Sequence, residues 1–163
     1  MTRKVLPAYV FSMDKVQNQA GAYNYISLFN PAGSGKVVVI SGIFLSTTLL
    51  TSSSITDSLR GWRTTAASGG TLQAASAIGK GQSQFPNASA QVRTGNPTVT
   101  LGAALFNSPS PIQDKAAPVH DVGVGSLASP FTLVPGEGIV LRSQAGIGVG
   151  ATWNMSIVWA EGP

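Results

Sequence analysis

Two places in the chain set residues of chemical potential side by side: Gly33-Ser34-Gly35-Lys36 and His120-Asp121. The first has the look of a phosphate-binding loop. Such a loop needs an earlier glycine, a hydroxyl after the lysine to hold magnesium, and a helix whose N-terminus faces the phosphate. Here the earlier glycine would fall on Asn30, and the residue after Lys36 is Val37, which opens a β-branched run rather than a helix. Asn30-Pro31 followed by Gly33-Ser34-Gly35 is turn chemistry. The second pairs a base with a carboxylate. In a strand, however, neighbours project to opposite faces, and the chain has no Gly-x-Ser-x-Gly elbow to supply a nucleophile.

Other chemistries find little material. One histidine, no cysteine and six dispersed acids are a poor set of metal ligands, and no two acids lie close in sequence as a carboxylate pair. The expectation is no catalytic residue, no metal, no cofactor and no enzyme. Trp62, Trp153, Trp159, Tyr9, Tyr23 and Tyr25 could form a sugar-binding platform. Core packing is the competing use of such large side chains, and the alternation around Trp153 and Trp159 favours it.

The elements that must position these residues read as strands. Tyr23–Phe29 and Val37–Ser46 flank the Asn30–Lys36 loop and are expected to form an antiparallel pair. The second is almost continuously apolar, which predicts burial on both faces, and Gly42 marks a bulge or bend. Residues 1–12 read as an arm or edge strand because Pro7 excludes a central one, and residues 13–21 as a loop. Residues 55–65 hold a strand through Leu59, Trp62 and Thr64, or alternatively a short helix over 56–63. The state of residues 71–78 stays open, and 79–87 read as a loop. Ala88–Arg93 is extended, Gly95-Asn96-Pro97 a turn, and Thr98 starts a strand running to Phe106. Asn107–Pro118 reads as a loop and His120–Val124 as a short strand. Phe131–Val134 and Ile139–Arg142 are strands around a Pro-Gly-Glu-Gly turn. Trp153, Met155, Ile157 and Trp159 alternate with Asn154, Ser156 and Val158, a period of two with one apolar face. Many short strands and no amphipathic helix predict an all-β sandwich or barrel.

Charge is the unusual quantity. Charged residues make up 10% of the 163 residues, against about 25% in an ordinary soluble domain. Depletion of charge is a property of interface cores, so the composition points to a subunit of an assembly. The net charge is +4, but the basic residues are scattered, and a nucleic-acid footprint would be denser. No apolar run is long enough to span a membrane. Arg3-Lys4 is followed only by a short apolar patch containing Pro7, which is not a signal peptide. The protein is therefore expected to act where it is made or to leave the cell within a larger particle.

Four segments taken in order resemble virion proteins of tailed bacteriophages: Leu28–Lys36; Ala90–Gly95; Phe131–Leu141 with its Pro-Gly-Glu-Gly turn; and the terminal strand from Trp153 to Trp159. The nearest likeness is to small head-decoration, or cement, proteins with a jelly-roll-like fold, over most of residues 22–161. The resemblance implies a single jelly-roll-like antiparallel β-sandwich over residues 22–163, preceded by an N-terminal arm or edge strand over 1–21. It also implies a structural role on the capsid exterior of a particle made in the host cytoplasm. The partners would be the major capsid protein, bound between its subunits, and further copies of the chain as a homotrimer or homodimer, with no nucleic acid and no membrane. Arg3, Lys4, Tyr9 and Phe11 are the expected partner-contacting residues of the arm. The alternative is a tail- or fibre-associated carbohydrate-binding β-sandwich module.

Overall fold

The computed structural model describes residues 6–17, 19, 21–49, 59–107, 120–122, 131–144 and 151–163. The strands are β1 (Ala8–Gln17), β2 (Asn24–Phe29), β3 (Val37–Leu49), β4 (Leu59–Ser68), β5 (Thr71–Leu72), β6 (Gly79–Lys80), β7 (Gln91–Thr94), β8 (Thr98–Asn107), β9 (His120–Val122), β10 (Phe131–Leu133), β11 (Gly138–Ser143) and β12 (Ala151–Gly162), with one 3₁₀ turn at Ala75–Ala77. They form two antiparallel sheets. The first runs β10-β3-β12-β1-β6, with β9 also on β3, and the second runs β5-β7-β2-β11-β4-β8. The protein is an all-β antiparallel sandwich.

The pairings are nested: β1 with β12, β2 with β11, β3 with β10, β4 with β8. β1 to β4 alternate between the sheets, and so do β10 to β12, so these strands form one long hairpin rolled into two layers, the jelly-roll arrangement. The segment between β4 and β8 adds β5 and β7 beside β2 and β6 beside β1. It closes one side of the sandwich and seals it with Ile78, Ala90 and Val92, all buried.

Side-chain alternation sets the core, and two bulges preserve it. On β3, Val38 and Ile40 are buried, and so are Ile43 and Leu45. The parity changes because Ser41 is an extra residue opposite the Val158/Trp159 step. A bulge of this kind shifts the side chains back onto the core face. On β1, a second irregularity between Met13 and Val16 does the same. Lys15 there takes a positive φ of 54°, and its amide donates to Asn154 Oδ1 at 2.8 Å. Between these bulged neighbours, Trp153, Met155, Ile157 and Trp159 of β12 all point inward. Full burial of such side chains contributes about 1.5–3 kcal/mol each.

Several expectations need correction. β2 and β3 are not a pair, since they belong to different sheets, and the 30–36 loop carries the chain across the sandwich. β10 and β11 are separated in the same way by the Pro135-Gly136 turn. Asn30 stitches the two crossings together. Its amide takes Glu137 O, its carbonyl accepts from Gly136 N, and Nδ2 donates to Lys36 O and Leu133 O at 2.8 and 3.0 Å. Asn30 is fully buried, so these bonds replace the water a crossing loop would otherwise need. β3 is buried on one face only: Val37 and Val39 are half-buried, and Ser41 and Phe44 are exposed. Residues 13–17 are strand rather than loop, and of the two readings left open for residues 55–65 the strand holds, as β4 over Leu59–Ser68. The expected 107–118 loop and residues 123–124 of the expected His120 strand lie outside the described residues, apart from Asn107 at the end of β8.

Candidate interaction surfaces

The phosphate-loop candidate is a turn. Ser34 N bonds to Pro31 O at 2.9 Å, Gly35 takes φ 61°, and Lys36 N donates to Ser34 Oγ at 3.2 Å. The backbone amides of Ser34 and Lys36 are thus already engaged, and Lys36 simply precedes β3. His120 and Asp121 sit in β9, where their backbone pairs with Leu45 and Phe44. Among the described residues no three His, Asp or Glu gather.

Of the expected arm contacts, Arg3 and Lys4 lie outside the described residues. Tyr9 and Phe11 are 2% and 5% exposed, in β1 between β12 and β6. They are core residues, which corrects the expectation that they contact a partner. Pro7 precedes the strand by one residue, so it forfeits no ladder hydrogen bond within it.

The most elaborate polar site in the described residues was missed by the sequence reading. Glu161, 5% exposed, accepts from Ser89 N at 3.0 and 2.9 Å through its two oxygens. Oε1 also accepts from Ala90 N at 3.0 Å and Trp159 Nε1 at 3.2 Å. Tyr9 lies against Trp159 with ring centroids 5.7 Å apart and donates its hydroxyl to Pro86 O at 3.1 Å. Burial, and secondarily the Glu161 carboxylate, push the Tyr9 phenol above its ordinary pKa. The group fastens the 86–90 segment to β1 and β12. Its donors are consumed internally, so it is a staple rather than a reaction centre. The sequence signal was available: Glu161 continues the inward phase of Trp153, Met155, Ile157 and Trp159.

The tryptophans divide. Trp153 and Trp159 are buried, while Trp62 on β4 is half-buried. Phe44, Leu45, Ser46, Asn154 and Ser156 line a depression of about 80 Å³, well below the roughly 300 Å³ of a small-molecule pocket.

The surfaces that remain are the two outward sheet faces, and they differ. Outward on the first sheet, Val10 opposes Val158, Ser12 opposes Ser156, and Phe44 and Ser46 oppose Ser156 and Asn154. Ser12 and Ser156 share a 2.8 Å hydrogen bond. Val10 and Phe44 are 36% and 42% exposed. The Phe44 ring lies over Gly42, where a Cβ would come within 2.9 Å of it. Across β1, β12 and β3 this central band carries no charged residue among the described residues, and Asp121 of β9 is the register partner of Phe44 at its edge.

Outward on the second sheet, one row across the strands reads Arg93, Ser27, Val140, Trp62, Ala104. The face is assigned by the alternation of Ile139 and Leu141, which belong to the core cluster, around Val140, which is buried yet outside it. In the adjoining row Arg142 directly opposes Arg60. On the other side Phe29 lies against Gly138 and Thr64.

Searches against family models, curated proteins and solved structures find no match to this chain.

Proposed function

We propose that the chain is a structural virion protein that decorates and stabilises a bacteriophage capsid by binding between major capsid subunits. One observation carries this reading: the central band of the outward face of β1, β12 and β3 is uncharged and partly apolar, with Val10 and Phe44 exposed among serines and Asn154, and with the acid Asp121 of β9 at its edge. Such a face can be covered by protein with few ions to desolvate. The nested jelly-roll pairing agrees with the architecture that the sequence resemblance implies. Repetition over a lattice adds avidity to a weak single contact.

The test is co-sedimentation of the protein with assembled shells, using Phe44→Asp as the probe of the face. Wild type is expected to pellet with shells and Phe44→Asp to bind about tenfold less, the loss of a buried aromatic contact being of hot-spot size. A wild-type protein that never pellets with shells overturns the proposal. The carbohydrate-module reading retains Trp62 and Tyr23 as its partly exposed aromatics, and binding of a glycan that is lost in Trp62→Ala would favour it.

A further inference from the structure

We infer that the outward face of the second sheet is a docking surface for a protein partner that presents carboxylates. Arg142 and Arg93 are its anion contacts and Trp62 its apolar anchor. The identity of the partner rests on the reading above, in which it is a shell subunit. The chemistry of the face does not.

Three strands far apart in sequence deliver arginine to this one face: Arg60 on β4, Arg93 on β7 and Arg142 on β11. No acid shares the face among the described residues. Arg60 and Arg142 are register partners, so their Cα atoms lie about 5 Å apart. Arg93 is two strands away, roughly 10 Å across the sheet. Like charges directly opposite one another work against a sheet, and nothing in the core requires them. Arg60 makes contacts of its own. Among the described residues, none accepts a hydrogen bond from the Arg142 guanidinium. Arg93 gives one bond, Nη1 to Gly69 O at 3.0 Å, and its Nε is buried without a partner. Ser27 Oγ, in the same row, is likewise buried without a partner. Both of those atoms are covered by the chain itself, so the donors left for a partner are those of the half-buried Arg142 guanidinium and the remaining Arg93 guanidinium N–H groups.

Charge complementarity selects the occupant. A second copy of the chain offers little: of its four described acids, Glu161 is buried, Glu137 is held by Arg63 at 3.0 Å, and Asp14 of β1 and Asp121 of β9 stand singly on strands separated by β12 and β3. Nucleic acid would call for several phosphate contacts along a track, and three arginines around a tryptophan are too compact for one. Arginine and tryptophan are the residue types that dominate protein–protein hot spots. The planar guanidinium takes a carboxylate in a two-pronged geometry. An acidic protein surface is what this face fits.

The experiment titrates the intact protein with poly-L-glutamate, and with duplex DNA at equal charge, while following Trp62 fluorescence. Arg142→Glu and Arg93→Glu are compared with Lys36→Glu, which changes net charge equally in an exposed loop. Arg142→Gln and Arg93→Gln guard against misfolding. Poly-glutamate affinity is expected to fall about tenfold in the two face variants and less than about twofold in Lys36→Glu. An equal loss in all three overturns the inference, as does tighter binding of DNA through the same arginines. The shell assay separates the two proposals. Wild type and both face variants pelleting equally with shells removes this face as the docking surface and leaves the decoration reading. Failure of wild type to pellet removes the decoration reading, and the poly-glutamate titration then decides the face alone.

Discussion

Replacing Glu161 by alanine should be among the most damaging single changes to this fold. The carboxylate is buried and takes hydrogen bonds from three N–H groups, those of Ser89, Ala90 and the Trp159 indole, at 2.9–3.2 Å. Truncation leaves three donors without an acceptor, those of Ala90 and Trp159 buried and that of Ser89 partly so, at about 1–3 kcal/mol for each buried one. Against that stands relief of the desolvation of a buried carboxylate, itself several kcal/mol. The orphaned donors win, because they remain buried after the charge has gone. The net cost is about 3–5 kcal/mol, a large share of the roughly 5–15 kcal/mol that holds a domain together. At about 2–4 °C per kcal/mol for a chain of this size, the melting temperature should drop by roughly 6–20 °C. Glu161→Gln keeps one acceptor oxygen but sets an NH₂ against an N–H, so it should fall between wild type and alanine. Urea denaturation gives the energies, and amide exchange at Ser89 and Ala90 reads the same event locally. If Glu161→Ala unfolds within about 1 kcal/mol of wild type, the carboxylate is a burden rather than a staple, and the reasoning fails.

Gly61→Ala would drive a Cβ into the ring of Phe106, its cross-strand partner. A loss of about 1–3 kcal/mol is expected, and Phe106→Leu in the same chain should recover part of it, as a double-mutant cycle in denaturant would show. The raised Tyr9 pKa makes a signed pH prediction. The folded state keeps the phenolic proton above 10.0, the ordinary value at which the unfolded chain releases it. Stability is therefore intact below about pH 10 and declines as pH rises through the folded pKa. Tyr9→Phe should flatten that alkaline decline while losing the Pro86 hydrogen bond, and denaturation midpoints at about pH 8 and about pH 11 would test this. Arg142→Glu should stabilise the isolated protein by about 0.2–1 kcal/mol by converting an opposed like-charge pair into an unlike one, and a lowered melting temperature would count against it. Acrylamide should quench Trp62 and leave Trp153 and Trp159 largely protected, so Trp62→Phe should abolish most of the quenchable emission.

The strands were legible wherever alternation was clean. The Trp153–Trp159 run declared its core face, and the glycines of residues 33–35 declared a turn. Partnership was harder to see. Tyr23–Phe29 and Val37–Ser46 look like a hairpin because a short loop joins them, yet a jelly roll sends consecutive strands to opposite layers. Local sequence does not distinguish a hairpin turn from a crossing. What does distinguish them is Asn30, whose side chain bonds to Leu133 O over a separation of 103 residues. Bulges misled the reading of β3 too. The run from Val37 to Ile40 seemed doubly buried, although one extra residue at Ser41 keeps a single face inward on both sides of it. Pro7 argues against a central strand only where it would sit inside one; it stands just before β1 and leaves the buried Tyr9 and Phe11 free to pair.

The outward faces were the least legible part, for a reason built into the fold. Alternation commits one side of each strand to the core and leaves the other side to any residue that tolerates water. Which outward residues become neighbours depends on sheet order, and sheet order here is set by long-range nesting. Arg60, Arg93 and Arg142 look like scattered, solvated cations along the chain. The pairing of β4 with β11, and of β11 with β2 and β2 with β7, gathers them around Trp62. The same nesting gathers Val10, Phe44 and Val158 on the opposite layer, where Asp121 is the register partner of Phe44. Low overall charge thus conceals an uneven distribution: one layer is mostly uncharged with an acid at its edge, while the other carries arginines that repel one another unless something acidic stands between them. A protein held between neighbouring subunits needs two such contacts, and a sandwich with unlike faces can make them to unlike partners and so fix its own orientation.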